Sequence, residues 1–203
     1  MKNINGGNQL FPVFLRMDKL NLLVVGAGIV GWEKIGVMYK HCQNTLKIRV
    51  VAPEINEHIL ELSNQNTNQF EIIKSDFNET HLKGMDIVIA ATNIKELNKE
   101  VHRLAKLHNK LVNIADTPDL CDFYLSSVVK KGDLKIGISS NGKSPTLTKR
   151  LKEMLNDALP EEIDDLLQNM EEIRILLKGD FEDKVNKLNA ITHKMKLNNS
   201  KNN

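Results

Sequence analysis

This sequence predicts an α/β protein: a parallel sheet covered by helices, then a small β segment and a C-terminal helical domain. Three observations point there. Through the first 115 residues, apolar strand-like runs alternate with stretches of helical periodicity. A glycine cluster, Gly26-Ala27-Gly28-Ile29-Val30-Gly31, stands where the first run gives way to the first helical pattern. After Asp116 the alternation stops, and two further strand-like runs precede three helical stretches.

Taken in order, Leu22–Val25 reads as a strand and Ile29–His41 as the helix behind it. "LKIRVVAP" is a second strand, ended by Pro53. Glu54–Asn64 reads as a helix and "QFEIIK" as a third strand. "DIVIAAT", Asp86–Thr92, is a fourth, almost unbroken in apolar residues, as a strand buried on both faces must be. Lys95–His108 carries Leu97, Val101, Leu104 and Ala105 at helical spacing, and "KLVNIA" is a fifth strand. "FYLSSVVKKGDLKIGISS" then reads as a hairpin turning at "KKGD". Ser144 before Pro145 is a strong helix start, a capping hydroxyl followed by proline in the first turn. Leu147, Leu151, Met154 and Leu155 share one face of that helix, which Pro160 breaks. Ile163, Leu166, Leu167, Met170, Ile173 and Leu177 mark a second helix, ended by Gly179. Phe181, Val185, Leu188, Ile191 and Met195 mark a third, capped by Asp180, and the tail "NNSKNN" is expected to be disordered.

Composition narrows the function. The chain has 203 residues, 41% hydrophobic and 27% charged, enough for one large domain or two small ones. Aromatics make up 4%, which disfavours a base-stacking nucleic-acid platform, and a net charge of +2 without a basic tail gives little support to polyanion binding. Two distant cysteines, Cys42 and Cys121, suit a thiol-keeping cytoplasm. No apolar run reaches membrane-spanning length, and the opening residues lack the features of a signal peptide. A cytoplasmic location is expected, with neither membrane nor nucleic acid as partner.

The glycine cluster is GxGxxG in the context the motif requires, between a strand and a helix. Gly26 permits the tight turn, Gly28 lets a pyrophosphate approach the backbone, and Gly31 lets the helix pack on the strand. The N–H groups of Ala27, Gly28, Ile29 and Val30 would face the anion with the helix dipole behind them. Packing alone is the competing reading of these glycines. Pro53 and Glu54 end the second strand, where an acid would bind ribose hydroxyls; Glu54 equally suits a solvated helix start. With no arginine there for a 2′-phosphate, NAD is favoured over NADP. Thr92 and Asn93 end the fourth strand at the ligand edge of such a sheet, and could instead cap a helix. The histidines are scattered. His58 and Glu54, four apart, do not make a metal site, and no resident metal is expected.

Three stretches carry a resemblance: "LFPVFLRMDKLNLLVVGAGIVGWEK", "LVNIADTPDLCDFYLSSVV" and "LKIGISSNGKSPTLTKRLKEML". They resemble the precorrin-2 dehydrogenase / sirohydrochlorin ferrochelatase family, which includes the N-terminal module of siroheme synthases. The resemblance implies NAD-dependent oxidation of precorrin-2 to sirohydrochlorin on the way to sirohaem and, in some organisms, cobalamin. Some members of that family also insert Fe2+ or Co2+ into the product, so a metal ion would be a substrate. It implies a Rossmann domain (1–115), a dimerisation and substrate-site segment (116–145) and a helical domain (146–203) in an interlocked homodimer. It assigns the essential aspartate to Asp116 and places Ser140 near the tetrapyrrole.

Chemistry adds to this. Dehydrogenation removes a hydride, which NAD accepts, and a proton, which Asp116 at the sheet's carboxyl edge is placed to handle. The competing reading is that Asp116 and Pro118 only shape a turn. A substrate with eight carboxylates needs cations and N–H donors; Lys143, Ser144, Lys149 and Arg150 are candidates, against an ordinary solvated helix face. Where this chain has Gly-Ala-Gly and then Trp32-Glu33-Lys34, many relatives have three consecutive glycines and an Arg-Lys pair. The rival class is a regulatory dinucleotide-binding module without catalysis, which would not need the "ADTPDLCDF" and "SSNGKSP" segments.

Overall fold

The computed structural model describes residues 8, 10–42, 45–177 and 181–192. Gly179, Asp180, Met195 and the tail, singled out above, lie outside them. The chain packs as two compact units, one formed by Phe11–Leu125 and one containing Ser126 onward. Among the described residues no helix is long and apolar enough to cross a membrane.

The first unit is an α/β sheet with strands β1 (Asn21–Ala27), β2 (Lys47–Ile55), β3 (Phe70–Ile73), β4 (Ile87–Ala90) and β5 (Leu111–Ile114). Every pairing is parallel and the order is β3-β2-β1-β4-β5. The order reverses between β1 and β4, so a crevice opens at their carboxyl ends. Helices α1 (Ile29–Cys42), α2 (Glu57–Gln65) and α3 (Lys95–Leu107) connect the strands. Parallel pairing demands such crossovers, and they bury both faces of the sheet. Leu22, Val24, Ile48, Val50, Ile87 and Ile89 form one core with Ile35 of α1 and Ile59 of α2. Leu23, Val25, Val51, Val88, Val112 and Ile114 form the other, with Val101, Leu104 and Ala105 of α3. Adjacent residues of one strand thus serve opposite cores, which is why these strands read as unbroken apolar runs.

Two expectations are corrected at β2. Pro53 does not end the strand, which continues to Ile55. The pairing with β1 jumps from Val25↔Val51 to Ala27↔Ile55, so Ala52–Glu54 form an irregularity. There proline's missing N–H costs no ladder bond. The helix expected from Glu54 therefore begins only at Glu57. Asn56 caps it, its side chain accepting from the His58 N–H at 3.0 Å. Glu54 is exposed in the irregularity rather than at a helix start, and it shares no helix with His58. His58 Nδ1 instead lies 3.5 Å from Glu61 Oε2.

In the second unit β6 (Ser127–Lys131) and β7 (Leu134–Ile138) form an antiparallel hairpin. Gly132 leads its two-residue turn at φ 53°. Helix α4 (Pro145–Ala158) packs on the hairpin through buried Thr148, and α5 (Ile163–Leu176) and α6 (Phe181–Thr192) follow. Asp164 of α5 accepts from the Asp133 N–H at 2.7 Å, and Glu161 pairs with Lys131, so the start of α5 clasps the hairpin turn. The apolar stripe of α4 is not its buried face: Leu147, Leu151 and Met154 are 52%, 37% and 64% exposed.

Candidate functional site

Gly26 has φ 96°, a conformation open to glycine and rarely to other residues. A methyl group on it would lie 2.7 Å from the Ala91 carbonyl and 2.8 Å from the Thr92 nitrogen. The turn out of β1 is thus pressed against the exit of β4. A methyl on Gly31 would collide with the Gly26 carbonyl oxygen, so α1 sits against that turn. A methyl on Gly28 would meet nothing within 4 Å. The first and third glycines are closed by protein and the second is left open, as a backbone that receives a ligand should be. The amides at the start of α1 have no intrahelical acceptors, and they carry the positive end of its dipole. The residues present fit the pyrophosphate of a dinucleotide.

The rim across the crevice is held by Asn98, 6% exposed. Its Nδ2 donates to the Thr92 carbonyl at 3.0 Å, and its Oδ1 lies 2.7 Å from Thr92 Oγ1. Thr92 Oγ1 also accepts from the Ile94 N–H at 3.2 Å, just before α3. Thr92 therefore holds the helix entrance, with both its backbone groups bonded to Asn98 and its nitrogen packed beside Gly26. Asn93 is exposed next to it. Asn98 had no motif of its own; its signal is an asparagine on the apolar face of α3.

Asp116 follows β5 and is exposed, with φ 58°. An L-residue in that left-handed conformation costs about 1–2 kcal/mol, so the loop holds it there. The structure shows how. Cys121 Sγ accepts from the Ile114 N–H at 3.2 Å and lies 3.3 Å from the Ile114 carbonyl. Asp122 accepts from the Val112 N–H at 3.0 Å and donates its own N–H to the Val112 carbonyl at 2.8 Å. Lys106 of α3 holds the Asp122 carboxylate at 2.8 and 2.9 Å. Asn113 Nδ2 donates to the Phe123 carbonyl at 2.8 Å. Residues 121–123 are thus laid back along β5, and residues 115–120 are forced into a closed loop with Asp116 in the turn that opens it. Burial pushes the Cys121 thiol above its ordinary range, so this cysteine is a neutral clasp rather than a nucleophile. No sequence motif marked this role of Cys121 and Asp122.

Ser140, Lys143 and Ser144 belong to the second unit and form a cluster of their own. Asn141 and Gly142 have φ 54° and 71°, and the Lys143 N–H donates to the Ser140 carbonyl at 3.1 Å. This is a turn with two left-handed central residues, which Asn-Gly favours. Ser140 Oγ accepts from the Ser144 N–H at 3.1 Å, and Ser144 Oγ from the Leu147 N–H at 3.2 Å. Both hydroxyls thereby shape the start of α4. Lys143, Lys149 and Arg150 are exposed.

A doubly wound parallel sheet with an open glycine at its switch point defines a dinucleotide-binding α/β protein. Comparison with known proteins agrees. Residues 13–127 match the family model described as "Putative NAD(P)-binding", and residues 131–158 match "Sirohaem biosynthesis protein central". The chain is 37% identical over 155 residues to siroheme synthase of Pseudoalteromonas translucida (strain TAC 125), covering 76% of this chain and 32% of that protein. It is 29% identical over 188 residues to siroheme synthase of Neisseria meningitidis serogroup C (strain 053442), covering 92% and 36%. The solved structure titled "SirC, precorrin-2 dehydrogenase" superposes with TM-score 0.70 at 27% identity, covering 90% of this chain and 89% of that one. The chain belongs to the family of the siroheme synthase N-terminal module and the SirC precorrin-2 dehydrogenase. It spans about a third of the length of the curated siroheme synthases it matches.

Proposed function

We propose that the chain oxidises precorrin-2 to sirohydrochlorin with NAD, as a homodimer built through the hairpin segment. The observation that carries this is the likeness to SirC, which spans both chains almost entirely rather than the dinucleotide-binding part alone. A purely regulatory nucleotide module would leave the hairpin and α4 without a counterpart. Precorrin-2 loses two hydrogens in the step, one as hydride and one as proton. NAD, when bound, accepts the hydride. In this reading Gly26, Ala27, Gly28, Ile29, Val30 and Gly31 cradle its pyrophosphate from the backbone. Glu54, exposed within the β2 irregularity, takes the ribose hydroxyls beside Pro53, and favours NAD because its charge would repel a 2′-phosphate. Thr92 and Asn93 line the far rim.

Asp116 takes the proton. It lies at the carboxyl edge of β5, two strands along from the glycine turn, or about 10 Å at the usual strand spacing. Its carboxylate makes no hydrogen bond among the described residues, so both oxygens are free to accept. Ser140, Lys143 and Ser144 bind the substrate. In the test, the protein is incubated anaerobically with precorrin-2 and NAD and read by absorbance. Formation of sirohydrochlorin and NADH in equal amounts supports the reading, and their absence with folded protein removes it. Adding Co2+ or Fe2+ to the product then asks whether the same chain also inserts metal.

A further inference from the structure

We propose that Lys34 anchors a carboxylate of the bound tetrapyrrole, on the α1 face of the sheet beside the loop that carries Asp116. The inference rests on the functional reading above and adds a residue to that site.

The orientation of α1 comes first. Trp32 meets His58 of α2, ring centroids 5.6 Å apart, so this side of α1 faces α2. Two residues along a helix are about 200° apart. Lys34 therefore points the other way, over the β4–β5 half of the sheet. Among the described residues of this unit no α-helix follows β5, and Phe123 and Leu125 of the returning segment pack on the core shared with α1. On β5, Asn113 donates its Nδ2 to the Phe123 carbonyl of this segment, while its Oδ1 is buried without a hydrogen-bond partner, which leaves a polar spot under the cover.

The charge balance comes second. Lys34 is half-buried and pairs with no carboxylate among the described residues. Of the acids on that edge, Asp122 is already held by Lys106 and by the Val112 N–H, and neither Asp116 nor Asp119 forms an ion pair with Lys34. A partly desolvated ammonium without a counter-ion is costly, and an incoming anion would offset that cost. The Lys34 charge opposes the effect of burial on the Cys121 thiol, which puts it within electrostatic range of the loop that bears Asp116. The pyrophosphate site is elsewhere, at the amides of Gly28 and its neighbours. A carboxylate-rich substrate lying against Asp116 is the anion this position suits.

The experiment compares wild type with Lys34→Gln, Lys34→Met and Lys34→Arg, each checked for folding by circular dichroism. It measures KM and kcat for precorrin-2 at saturating NAD, NAD affinity, and binding of sirohydrochlorin by titration. Losing one charge-assisted hydrogen bond should raise KM and weaken sirohydrochlorin binding about tenfold or more in the neutral variants. NAD affinity should hold, kcat should stay within about threefold, and Lys34→Arg should recover most of the loss. Unchanged KM and sirohydrochlorin affinity in the neutral variants would overturn the proposal. So would a loss of kcat at constant KM, which puts Lys34 at the reacting centre, or an equal loss of NAD affinity, which puts it at the cofactor. Wild-type protein that neither binds sirohydrochlorin nor reduces NAD with precorrin-2 removes the functional reading and this inference together.

Discussion

Cys121 Sγ clasps both polar groups of the Ile114 backbone, 3.2 Å from the amide nitrogen and 3.3 Å from the carbonyl oxygen. The two are seven positions apart in sequence, and Asp116 lies between them in a left-handed conformation. The position of the candidate acid is therefore held in part by a thiol whose pKa burial raises. Cys121→Ala should leave the part-buried Ile114 N–H unsatisfied and cost about 1–3 kcal/mol of stability, measured by urea denaturation. Because burial raises its pKa, the thiol should alkylate more slowly than a free cysteine near neutral pH and accelerate as alkali generates the thiolate. Rapid labelling of Cys121 in folded protein at pH 7 would contradict this.

The three glycines of the turn should separate by substitution. Gly28→Val places its side chain in open space, so the protein should fold and yet lose NAD binding by tenfold or more, because the pyrophosphate is blocked. Gly26→Ala meets backbone at 2.7 Å in a left-handed conformation and should cost about 2 kcal/mol or more. Calorimetric titration with NAD beside thermal denaturation distinguishes the two. Full NAD affinity in folded Gly28→Val would sink the assignment of the turn.

Asp116→Asn should fold, bind NAD and turn over about 10²–10⁴-fold more slowly, the range for loss of a general acid–base group. Asp116→Gly is the partner experiment. It relieves the left-handed backbone, so stability should stay within about 1 kcal/mol of wild type while activity falls as far. If Asp116→Asn keeps turnover within about threefold, less than that range allows, Asp116 is a turn residue only.

The hairpin and α4 should form a subunit interface. A two-stranded hairpin is marginal alone, and α4 exposes Leu147, Leu151 and Met154 on one side. Light scattering at micromolar concentration should give twice the monomer mass. Replacing Leu151 and Met154 together by glutamate should shift the protein toward monomer. A wild-type monomer at that concentration would refute the homodimer.

The α/β unit was legible because burial on both faces writes itself as unbroken apolar runs, and β1 and β4 have little else to say. The glycine turn was legible for the same kind of reason, since close backbone approach excludes every side chain at Gly26. A proline such as Pro53 ordinarily stops a strand because the ladder needs the amide it lacks. Where the register with β1 jumps, no amide is needed and the strand runs on. The stripe on α4 was found, but its direction was not, since periodicity names a face without naming what covers it. Cys121, Asp122 and Asn98 stayed hidden because side chains bonding to backbone across a loop leave no period and no motif. Lys34 was in view as part of a departure from the family pattern, and only the orientation of α1 gives it a direction.

The return of the chain along β5 also bears on solubility. In β5 the amides of Leu111 and Ala115 turn inward, bonding to the carbonyls of Asp86 and Ala90 of the β4 segment. The outward groups are those of Val112 and Ile114, and a naked row of that kind can recruit a strand from another molecule. Here Asp122 takes both groups of Val112, and Cys121 takes both of Ile114. One carboxylate, one amide and one thiol seal the margin of the sheet. At the opposite margin β3 is only four residues long. Neither rim offers a long template for aggregation, and a variant that frees Cys121–Phe123 would expose one.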